Sequence, residues 1–333
     1  MPSPHRRARA VTALVVVTLL AAACGRSAGG SAPEPRTDDG HYPVTVENCG
    51  HEVTIEAEPT DVVMLKSAIV PFLSSVGVLD HVSAKAGVYP EGYFSEAVLD
   101  EIGAIETLTD RVDTTGHVLV STEAVLEHDP DLVLGRTENL SRSSLAELGI
   151  PSLEASGLCE EGRPDPGFQQ VYDEVEMYGQ VFNREAEAAA AVAQLKDRVA
   201  ELTADVAPAG RTGAVLYPTV GGGSTYAYGN QSMADPLLAA AGIDNVFGGQ
   251  DERIFEVALE TLLEQDPDVL VLLHSDGDPK QVEQALTSLP GAGELSAVRD
   301  GRVHTELFNF VEPASPLTVD GLARLVAAVG DGS

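Results

Sequence analysis

The amino-acid sequence predicts an α/β fold with two similar lobes, each a mostly parallel sheet with flanking helices, joined by one long α-helix. Three observations support this fold class. Short apolar runs alternate with helical patterns, as in parallel sheets covered by helices. A twelve-residue pattern occurs twice, and one long amphipathic stretch lies between its two copies. A chain of 333 residues is long enough for two domains, each with its own core.

Residues 1–23 have the pattern of a secretory signal, since three arginines precede a short apolar run and three alanines lead to Cys24. The apolar run is too short to span a bilayer. A cysteine at this point resembles the bacterial lipoprotein signal, which implies that Cys24 is lipidated and becomes the N-terminus. Ala21 stands where leucine is usual, so ordinary secretion is the alternative. Residues 24–41, rich in Gly, Ser, Pro and Asp, are then a flexible tether.

Residues 42–164 form the predicted N-terminal α/β lobe. Its first two strands flank Asn48-Cys49-Gly50, a turn signal, and therefore predict a hairpin. Beyond the hairpin, apolar runs predict strands, and helical periodicity between them predicts helices. The predicted strands are 42–46, 52–55, 61–65, 81–86, 102–105, 131–134 and 150–153, and the predicted helices are 69–78, 95–101, 122–128 and 144–148.

Residues 165–207 are predicted to connect the lobes through two helices. Asp165-Pro166 is a start signal for the first, which continues to residue 182. The second runs from 184 to 207, and Asn183 can cap its start. One face of this helix is apolar, at Ala189, Val192, Leu195, Val199, Leu202 and Val206. Its length of roughly 36 Å suits a strut between two lobes, although a long surface helix of a single domain would have the same pattern.

Residues 208–330 form the predicted C-terminal α/β lobe, in which the alternation of strands and helices resumes. The glycine-bounded sequence TYAYGN, residues 225–230, is predicted to be a loop with little core to fill. The predicted strands are 214–217, 245–247, 269–273 and 303–305, and the predicted helices are 235–241, 259–265, 282–286 and 320–329.

An internal repeat relates the two lobes. EAVLEHDPDLVL begins at Glu123 and ETLLEQDPDVLV begins at Glu260, with six of the twelve positions identical. Each copy predicts a helix with an early glutamate, a proline that ends the helix, an aspartate and a buried strand. Chance likeness of two common helix-turn-strand units is the alternative. The repeat favours two half-length lobes built alike.

The order of these segments resembles the class III periplasmic-type binding proteins, the substrate-binding lipoproteins of ABC importers for iron-siderophores, haem and cobalamin. The resemblance covers residues 42–329 and lies in DVVML, EAVLEHDPDLVLG, SLAELGIPSL, the long helix, MADPLLAAAGIDNV, ETLLEQDPDVLVLL and DGRVHTE. It implies a C-clamp around a fairly rigid helix, with ligand held between the lobes, and a binding protein instead of an enzyme.

The same resemblance implies the partners of the chain. Glu123 and Glu260 are expected to pair with arginines on the permease dimer of an ABC importer. A carboxylate early in a helix is also favoured by the helix dipole, which is the alternative role for each. The chain is expected to be a monomer, lipid-anchored at the outer face of the cytoplasmic membrane.

Charge and cysteine content narrow the partners and the compartment. The formal net charge of −32 repels nucleic acid and anionic lipid headgroups and favours a basic protein partner. With Cys24 lipidated, Cys49 and Cys159 remain, and outside the cytoplasm such a pair normally oxidises. A disulfide between them is expected, with two separate buried thiols as the alternative.

Candidate ligand contacts follow from the predicted sheets, because ligands of open parallel sheets lie beyond the carboxyl ends of the strands. Loops there carry aromatic rings and a few cations, which suit a large oxygen-rich chelate through stacking and charge-assisted hydrogen bonds. The predicted ligand-binding residues are Lys66, Tyr89, Tyr93, Arg136, Tyr217, Tyr226, Tyr228 and Arg253. Any one of these aromatic rings can instead belong to the core.

These observations predict a solute-binding protein for a metal chelate, a ferric siderophore first, with haem or cobalamin as lesser options. No P-loop, HExxH or CxxC motif is present, and the eight histidines lack the paired spacing of a zinc site. Neither a catalytic residue nor a resident metal or cofactor is predicted. The alternative function is a surface-anchored metal-dependent hydrolase or transferase on the same two-lobed scaffold.

Overall fold

The described chain begins with the predicted hairpin. A computed structural model describes residues 40–112, 118–207, 210–275 and 277–330. Strand β1 (Val44–Asn48) pairs with β2 (His51–Ile55) in antiparallel register. The two turn residues, Cys49 and Gly50, have φ of 54° and 71°, the left-handed geometry that matches the twist of paired strands. The predicted signal peptide, with Cys24, lies outside the described residues.

The first lobe contains a five-stranded, all-parallel sheet. Its strands are β3 (Val62–Met64), β4 (Val82–Ala86), β5 (Glu106–Thr109), β6 (Leu132–Leu134) and β7 (Ser152–Leu153), and its helices are α1 (Val70–Val76), α2 (Glu96–Ala104), α3 (Thr122–Leu126) and α4 (Arg142–Glu147). The spatial order is β5-β4-β3-β6-β7. Val62 and Met64 belong to one core cluster and Val63 to another, so the apolar β3 is buried on both faces.

Two helices, α5 (Phe168–Val181) and α6 (Glu185–Thr203), connect the lobes. The first half of α6 packs on the first lobe, where Val192 is part of the core and Leu195 lies against it. The second half packs on the core of the second lobe through Val199 and Leu202. Phe168 of α5 contacts both cores. The long helix is therefore the predicted strut between two lobes, but it ends at Thr203, four residues before the predicted end.

The second lobe contains a six-stranded mixed sheet. Its strands are β8 (Arg211–Pro218), β9 (Thr225–Tyr228), β10 (Ile243–Asn245), β11 (Ile254–Val257), β12 (Val269–His274) and β13 (Val303–Leu307), and its helices are α7 (Ala234–Ala240), α8 (Leu259–Gln265), α9 (Pro279–Thr287), α10 (Ser296–Arg299) and α11 (Pro316–Gly330). None of the described helices has the length and apolar character that a membrane crossing requires. The order is β11-β9-β8-β12-β13, with β10 beside the start of β8. The parallel strands β8-β12-β13 repeat the arrangement β3-β6-β7 of the first lobe.

The internal repeat has the same geometry in both lobes. In each copy the aspartate before the proline takes a left-handed φ, 44° in the first and 40° in the second. The aspartate after the proline accepts a backbone N–H from the neighbouring strand start, from Thr60 to Asp131 at 2.8 Å and from Thr212 to Asp268 at 2.9 Å. Both threonine hydroxyls donate to the same carboxylates. The two segments therefore share the same backbone conformation and hydrogen bonds as well as the same sequence pattern.

A disulfide joins Cys49 to Cys159, with Cα atoms 5.2 Å apart and a sequence separation of 110. It links the hairpin turn to the segment that leaves the first lobe. The two backbones approach closely because glycines face one another, and a Cβ built on Gly162 would lie 2.4 Å from the Gly50 nitrogen. The predicted pairing is confirmed.

Three helix and strand boundaries near the first lobe are predicted wrongly. Residues 102–104 continue α2, because Ile102 is buried on that helix, and the edge strand β5 begins only at Glu106. Asp165-Pro166 does not start α5, which begins at Phe168. Asn183 does not cap α6, since it takes a left-handed φ of 54° and Arg184 occupies the N-cap position.

The predicted loop at TYAYGN is wrong as well. Its first four residues form β9, which pairs with β8 on one side and with the unpredicted strand β11 on the other. Threonine and tyrosine favour strands, so the local composition agrees with this outcome. The connecting loop is instead the glycine-rich stretch at 219–224 before β9.

Candidate functional site

The two lobes meet at the carboxyl ends of strands β3, β4 and β13. Asn309, close after β13, donates its N–H to the Tyr93 hydroxyl at 3.1 Å and its side-chain amide to the Ser67 hydroxyl at 3.3 Å. Ser67 follows β3, and Tyr93 lies in the segment after β4. The interlobe cleft is defined here by the segments after β3, β4 and β6 on one side and after β8, β12 and β13 on the other. Ligands of open parallel sheets bind at such strand ends.

Tyr93 forms the floor of the interlobe cleft. Its ring packs edge-on against Phe94 and against Phe310 of the second lobe, with centroids 5.7 and 5.4 Å apart. Tyr93 is 7% exposed, and Leu317 belongs to the same apolar cluster. Tyr93 and Phe94 also line a cavity of about 210 Å³ between the lobes. Tyr93 thus holds the lobes together as well as lying at the predicted site.

Lys66 and Tyr89 lie on the first-lobe side of the cleft. The Lys66 stem runs beside Gly135, where an added Cβ would be 3.0 Å from its Cγ. The Tyr89 hydroxyl donates to the carbonyls of Met64 and Ala86, the last residues of β3 and β4, at 3.2 and 3.3 Å. Burial raises the pKa of the Tyr89 phenol, so it stays protonated. Tyr89 is partly exposed, and its ring packs against the first-lobe core with the Lys85 Nζ 5.9 Å from the ring centroid.

Arg136 is the cation that follows β6. Its Nε lies 3.0 Å from Glu154, and its Nη2 also pairs with Glu160. The Arg136 side chain is 38% exposed. Arg136 therefore reaches the predicted position, but its charge is shared between two carboxylates.

Tyr217, Tyr226 and Glu256 form a row across three strands of the second lobe. In the strand register Tyr217 lies opposite Tyr226, and Tyr226 lies opposite Glu256, so all three side chains point to one face. The Tyr217 hydroxyl is 3.1 Å from the Ser275 hydroxyl, and its ring packs edge-on against Phe308. Tyr226 is 37% exposed. These rings form an aromatic wall on the second-lobe side of the cleft.

Tyr228 was predicted as a ligand contact, but it lies inside the second lobe. It is 1% exposed and belongs to the core beneath α7 and α11. Burial raises the pKa of its phenol, and the nearby Glu312 carboxylate raises it further. Tyr226 and Tyr228 share a face of β9, but only Tyr226 reaches the surface.

Arg253 pairs with Glu312. Sequence reasoning predicted Arg253 as a ligand contact but did not identify Glu312. The Arg253 Nε donates to Glu312 Oε2 at 2.8 Å, and its Nη2 lies 2.7 Å from the same oxygen. Glu312 is buried and also accepts the backbone N–H of Met233. Arg163, likewise missed, lies nearby: burial lowers the pKa of its guanidinium, Arg253 lowers it further, and Glu312 raises it. One acid within the apolar stretch FNFVEPA was the available signal for a buried, partnered carboxylate.

Glu123 and Glu260 lie apart from these residues. Each is the second residue of a short helix, α3 or α8, and each is exposed. The shared repeat gives both glutamates the same position in their lobes. In the parts of the chain that the structure describes, no group of three His, Cys, Asp or Glu side chains is arranged to hold a metal ion.

The cleft therefore gathers part of the predicted set. Rings come from Tyr89, Tyr217 and Tyr226, and cations come from Lys66 and Arg136, while the other predicted residues form its floor or lie deeper. Such a surface suits a molecule with a flat or apolar face and oxygen acceptors. The role of each residue in ligand binding stays a prediction.

Comparison with known proteins agrees with this geometry. Residues 62–305 match the model of a family described as periplasmic binding protein. The crystal structure of an ABC-type Fe³⁺-hydroxamate transport system from Saccharomonospora viridis is 45% identical, with a TM-score of 0.83, over 87% of this chain and 100% of that one. An uncharacterized ABC transporter substrate-binding lipoprotein of Bacillus subtilis, YvrC, is 23% identical over 97% of each chain. A cobalamin-binding protein of Halobacterium salinarum is 25% identical over 95% of this chain and 84% of its own length.

Proposed function

Because the chain belongs to the periplasmic binding protein family, we propose that it is the substrate-binding protein of an ABC importer and captures a ferric siderophore of the hydroxamate class. The observation that carries this proposal is the interlobe cleft, to which both lobes contribute aromatic rings and the first lobe contributes cations. The structure that is 45% identical supports an iron chelate, since it belongs to an Fe³⁺-hydroxamate transport system. Haem and cobalamin are the alternative chelates.

The chemistry of the cleft fits a chelate that brings its own metal donors. Tyr89, Tyr217 and Tyr226 offer ring faces to the organic shell of the ligand, worth about 0.5–1.5 kcal/mol for each well-formed aromatic contact. Lys66 offers an ammonium to its oxygen atoms. Binding then depends on surfaces contributed by both lobes.

Tyrosine emission reports binding directly, because the chain has eight tyrosines and no tryptophan. We expect a ferric hydroxamate to quench this emission with one-to-one stoichiometry, and native mass spectrometry to detect the intact chelate on the protein. The iron-free hydroxamate, haem and cobalamin serve as comparison ligands. Saturable binding of cobalamin or haem alone would overturn the siderophore assignment. Release of a chemically altered ligand would favour the hydrolase or transferase instead.

We further propose that Glu123 and Glu260 dock the two lobes onto a permease dimer. Both carboxylates are exposed, and the repeat puts them at equivalent points of two lobes, which suits a partner with two equivalent basic sites. A helix-dipole role alone explains one such glutamate but gives no reason for the pair.

The double variant Glu123→Ala with Glu260→Ala should abolish uptake of the chelate by cells while leaving ligand affinity and folding unchanged. Glu127 and Glu264 provide a matched control, since they occupy equivalent exposed positions at the other end of the same two helices. Their double alanine variant removes the same charge and should transport normally. Equal uptake by both double variants would reduce Glu123 and Glu260 to helix-capping charges.

The lipid anchor at Cys24 is also a proposal, supported by the signal-like segment before it and by the lipoprotein name of the Bacillus subtilis relative. We expect Cys24→Ser protein to leave the membrane fraction. Retention of that variant as firmly as the wild-type protein would contradict lipidation.

A further inference from the structure

Arg163, Arg253 and Glu312 cluster where the lobes meet. A binding site for a neutral chelate would not need the positive charge of this cluster. Arg253 and Glu312 belong to the second lobe, while Arg163 comes from the segment that leaves the first. Glu312 is 1% exposed, and both its oxygens are engaged, one by Arg253 and the other by the N–H of Met233. With Glu312 ionised, the two guanidinium groups leave the cluster with a net positive charge.

Arg163 supplies the uncompensated part of that charge. Its Nη2 donates to the carbonyl of Cys159 at 2.6 Å, a neutral acceptor. Within the described residues its Nε is buried and has no hydrogen-bond partner. A buried guanidinium donor without an acceptor is unfavourable, so this Nε favours an acceptor that the described residues do not supply.

The cluster lies next to the aromatic wall. Arg253 directly precedes β11, whose first residue, Ile254, lies opposite Tyr228. Tyr228 is two residues along the same face of β9 from the exposed Tyr226. The disulfide at Cys159 anchors the segment that carries Arg163 four residues later. The positive charge is therefore held at a fixed place beside the predicted ligand surface.

The positive charge of this cluster contrasts with the acidic composition of the whole protein. The protein has 20 Lys and Arg against 52 Asp and Glu, so a partly buried cluster with excess positive charge runs against its overall composition. An acidic surface would repel an anionic solute at long range. A local pair of arginines is then what such a solute would need at the site itself.

We propose that Arg163 and Arg253 form an anion subsite beside the interlobe cleft that binds a free carboxylate of the chelate. Guanidinium groups hold carboxylates through short, directional, charge-assisted hydrogen bonds. The preferred ligand is then an anionic ferric chelate that retains a free carboxylate, not a neutral tris-hydroxamate. This inference rests on the proposed function and specifies the ligand class of the same cleft.

Two ferric chelates of similar size test the subsite: a neutral tris-hydroxamate and a dihydroxamate–citrate chelate that carries free carboxylate. The wild-type protein should bind the anionic chelate on the order of tenfold or more tightly than the neutral one. Arg163→Gln should remove this preference and leave affinity for the neutral chelate unchanged. The substitution keeps the Arg253–Glu312 pair, whereas loss of Arg253 would strand a buried carboxylate.

Arg299→Gln is the matched control, because it removes the same charge from an exposed position of α10, where Arg299 donates to the Ser296 hydroxyl at 2.8 Å. It should retain the preference, and Arg163→Lys, which keeps the charge, should retain part of it. Circular dichroism establishes that each variant is folded.

The outcomes separate this inference from the proposed function. Equal affinity of wild-type protein for both chelates, or an unchanged preference in Arg163→Gln, would overturn the anion subsite while chelate capture stands. Binding of haem alone, through its propionates and weakened by Arg163→Gln, would support the subsite and overturn the siderophore. Binding of no chelate at all would overturn both.

Discussion

At the scale of single residues, Tyr226 and Tyr228 differ in whether helices cover them. Helices α7 and α11 pack over only part of the second sheet, and a tyrosine beyond them can reach the cleft. Tyr226 and Tyr228 share one face of β9, yet they are 37% and 1% exposed. Tyr228 lies under α7 and α11 in the core, whereas Tyr226 lies at the level where β8 ends. One ring therefore serves packing and the other is available for contact with a ligand.

Separate alanine variants should distinguish the two roles. Tyr226→Ala should weaken chelate binding by about 0.5–1.5 kcal/mol, the value of one aromatic contact, and leave stability nearly unchanged. Tyr228→Ala should lower the free energy of unfolding by about 3–5 kcal/mol, because it removes a fully buried ring. Urea denaturation and tyrosine-emission titrations measure both quantities. A Tyr228→Ala protein of normal stability would show that this ring is not part of the core.

Glu174 is a buried carboxyl near the junction of the lobes. It lies on α5 and is 4% exposed. Both its oxygens accept the Ser156 N–H at 3.2 Å, and the Ser156 hydroxyl donates to it as well. Burial raises the pKa of Glu174 to about 8, outweighing the hydrogen bonds from Ser156, which lower it. The folded protein therefore holds a proton here at neutral pH.

Glu174 should make stability fall as pH rises. Between its ordinary pKa of 4.5 and about 8, the folded state binds this proton and the unfolded state does not. Its contribution is thus fully present below 4.5 and lost through 8, with a slope of up to ~1.4 kcal/mol per pH unit. Glu174→Gln cannot titrate, so its unfolding free energy should vary less over this window. Parallel pH profiles for both proteins would refute the assignment.

At the scale of whole elements, a glycine permits the close contact between α5 and α6. A Cβ on Gly179 would lie 2.5 Å from the Cβ of Ala188 and 3.2 Å from the carbonyl oxygen of Arg184. Gly103, on the exposed side of α2, has no such neighbour within 4 Å. Both glycines sit inside helices, so the same substitution meets opposite surroundings.

Alanine at these two positions should change stability in opposite directions. Gly103→Ala should stabilise the protein by about 0.4–1 kcal/mol through helix propensity and a less flexible unfolded chain. Gly179→Ala gains the same local term but must push α6 away from α5, at a cost of about 1–3 kcal/mol. Thermal unfolding of the two variants compares them directly. A stabilised Gly179→Ala protein would mean that the helices separate freely.

At the scale of the molecule, the disulfide fixes the N-terminal hairpin onto the exit of the first lobe. Replacing Cys49 and Cys159 together by serine should lower the free energy of unfolding by about 2–5 kcal/mol, mainly by freeing a long loop in the unfolded chain. Urea denaturation of the double variant and of reduced wild-type protein should give similar midpoints. An unchanged midpoint in both would show that the hairpin contributes little to stability.

Sequence reasoning predicted the parts of the fold that depend on local periodicity. Local sequence patterns determine these parts, which are the apolar stripe of α6, the buried strands β3 and β12 and the duplicated DPD segments. It missed β9 and β11, whose antiparallel pairing depends on partners distant in sequence. It also missed the pairing of Arg253 with Glu312, because two charges 59 residues apart in sequence become neighbours only once the second lobe has folded.

The contacts of α6 and Phe168 with both hydrophobic cores have a thermodynamic consequence. Neither lobe can lose its core without exposing apolar surface that also covers the other. The two lobes should therefore melt as one cooperative unit, with calorimetric and van't Hoff enthalpies in agreement. A ligand that binds one lobe should then raise the free energy of unfolding of both lobes together.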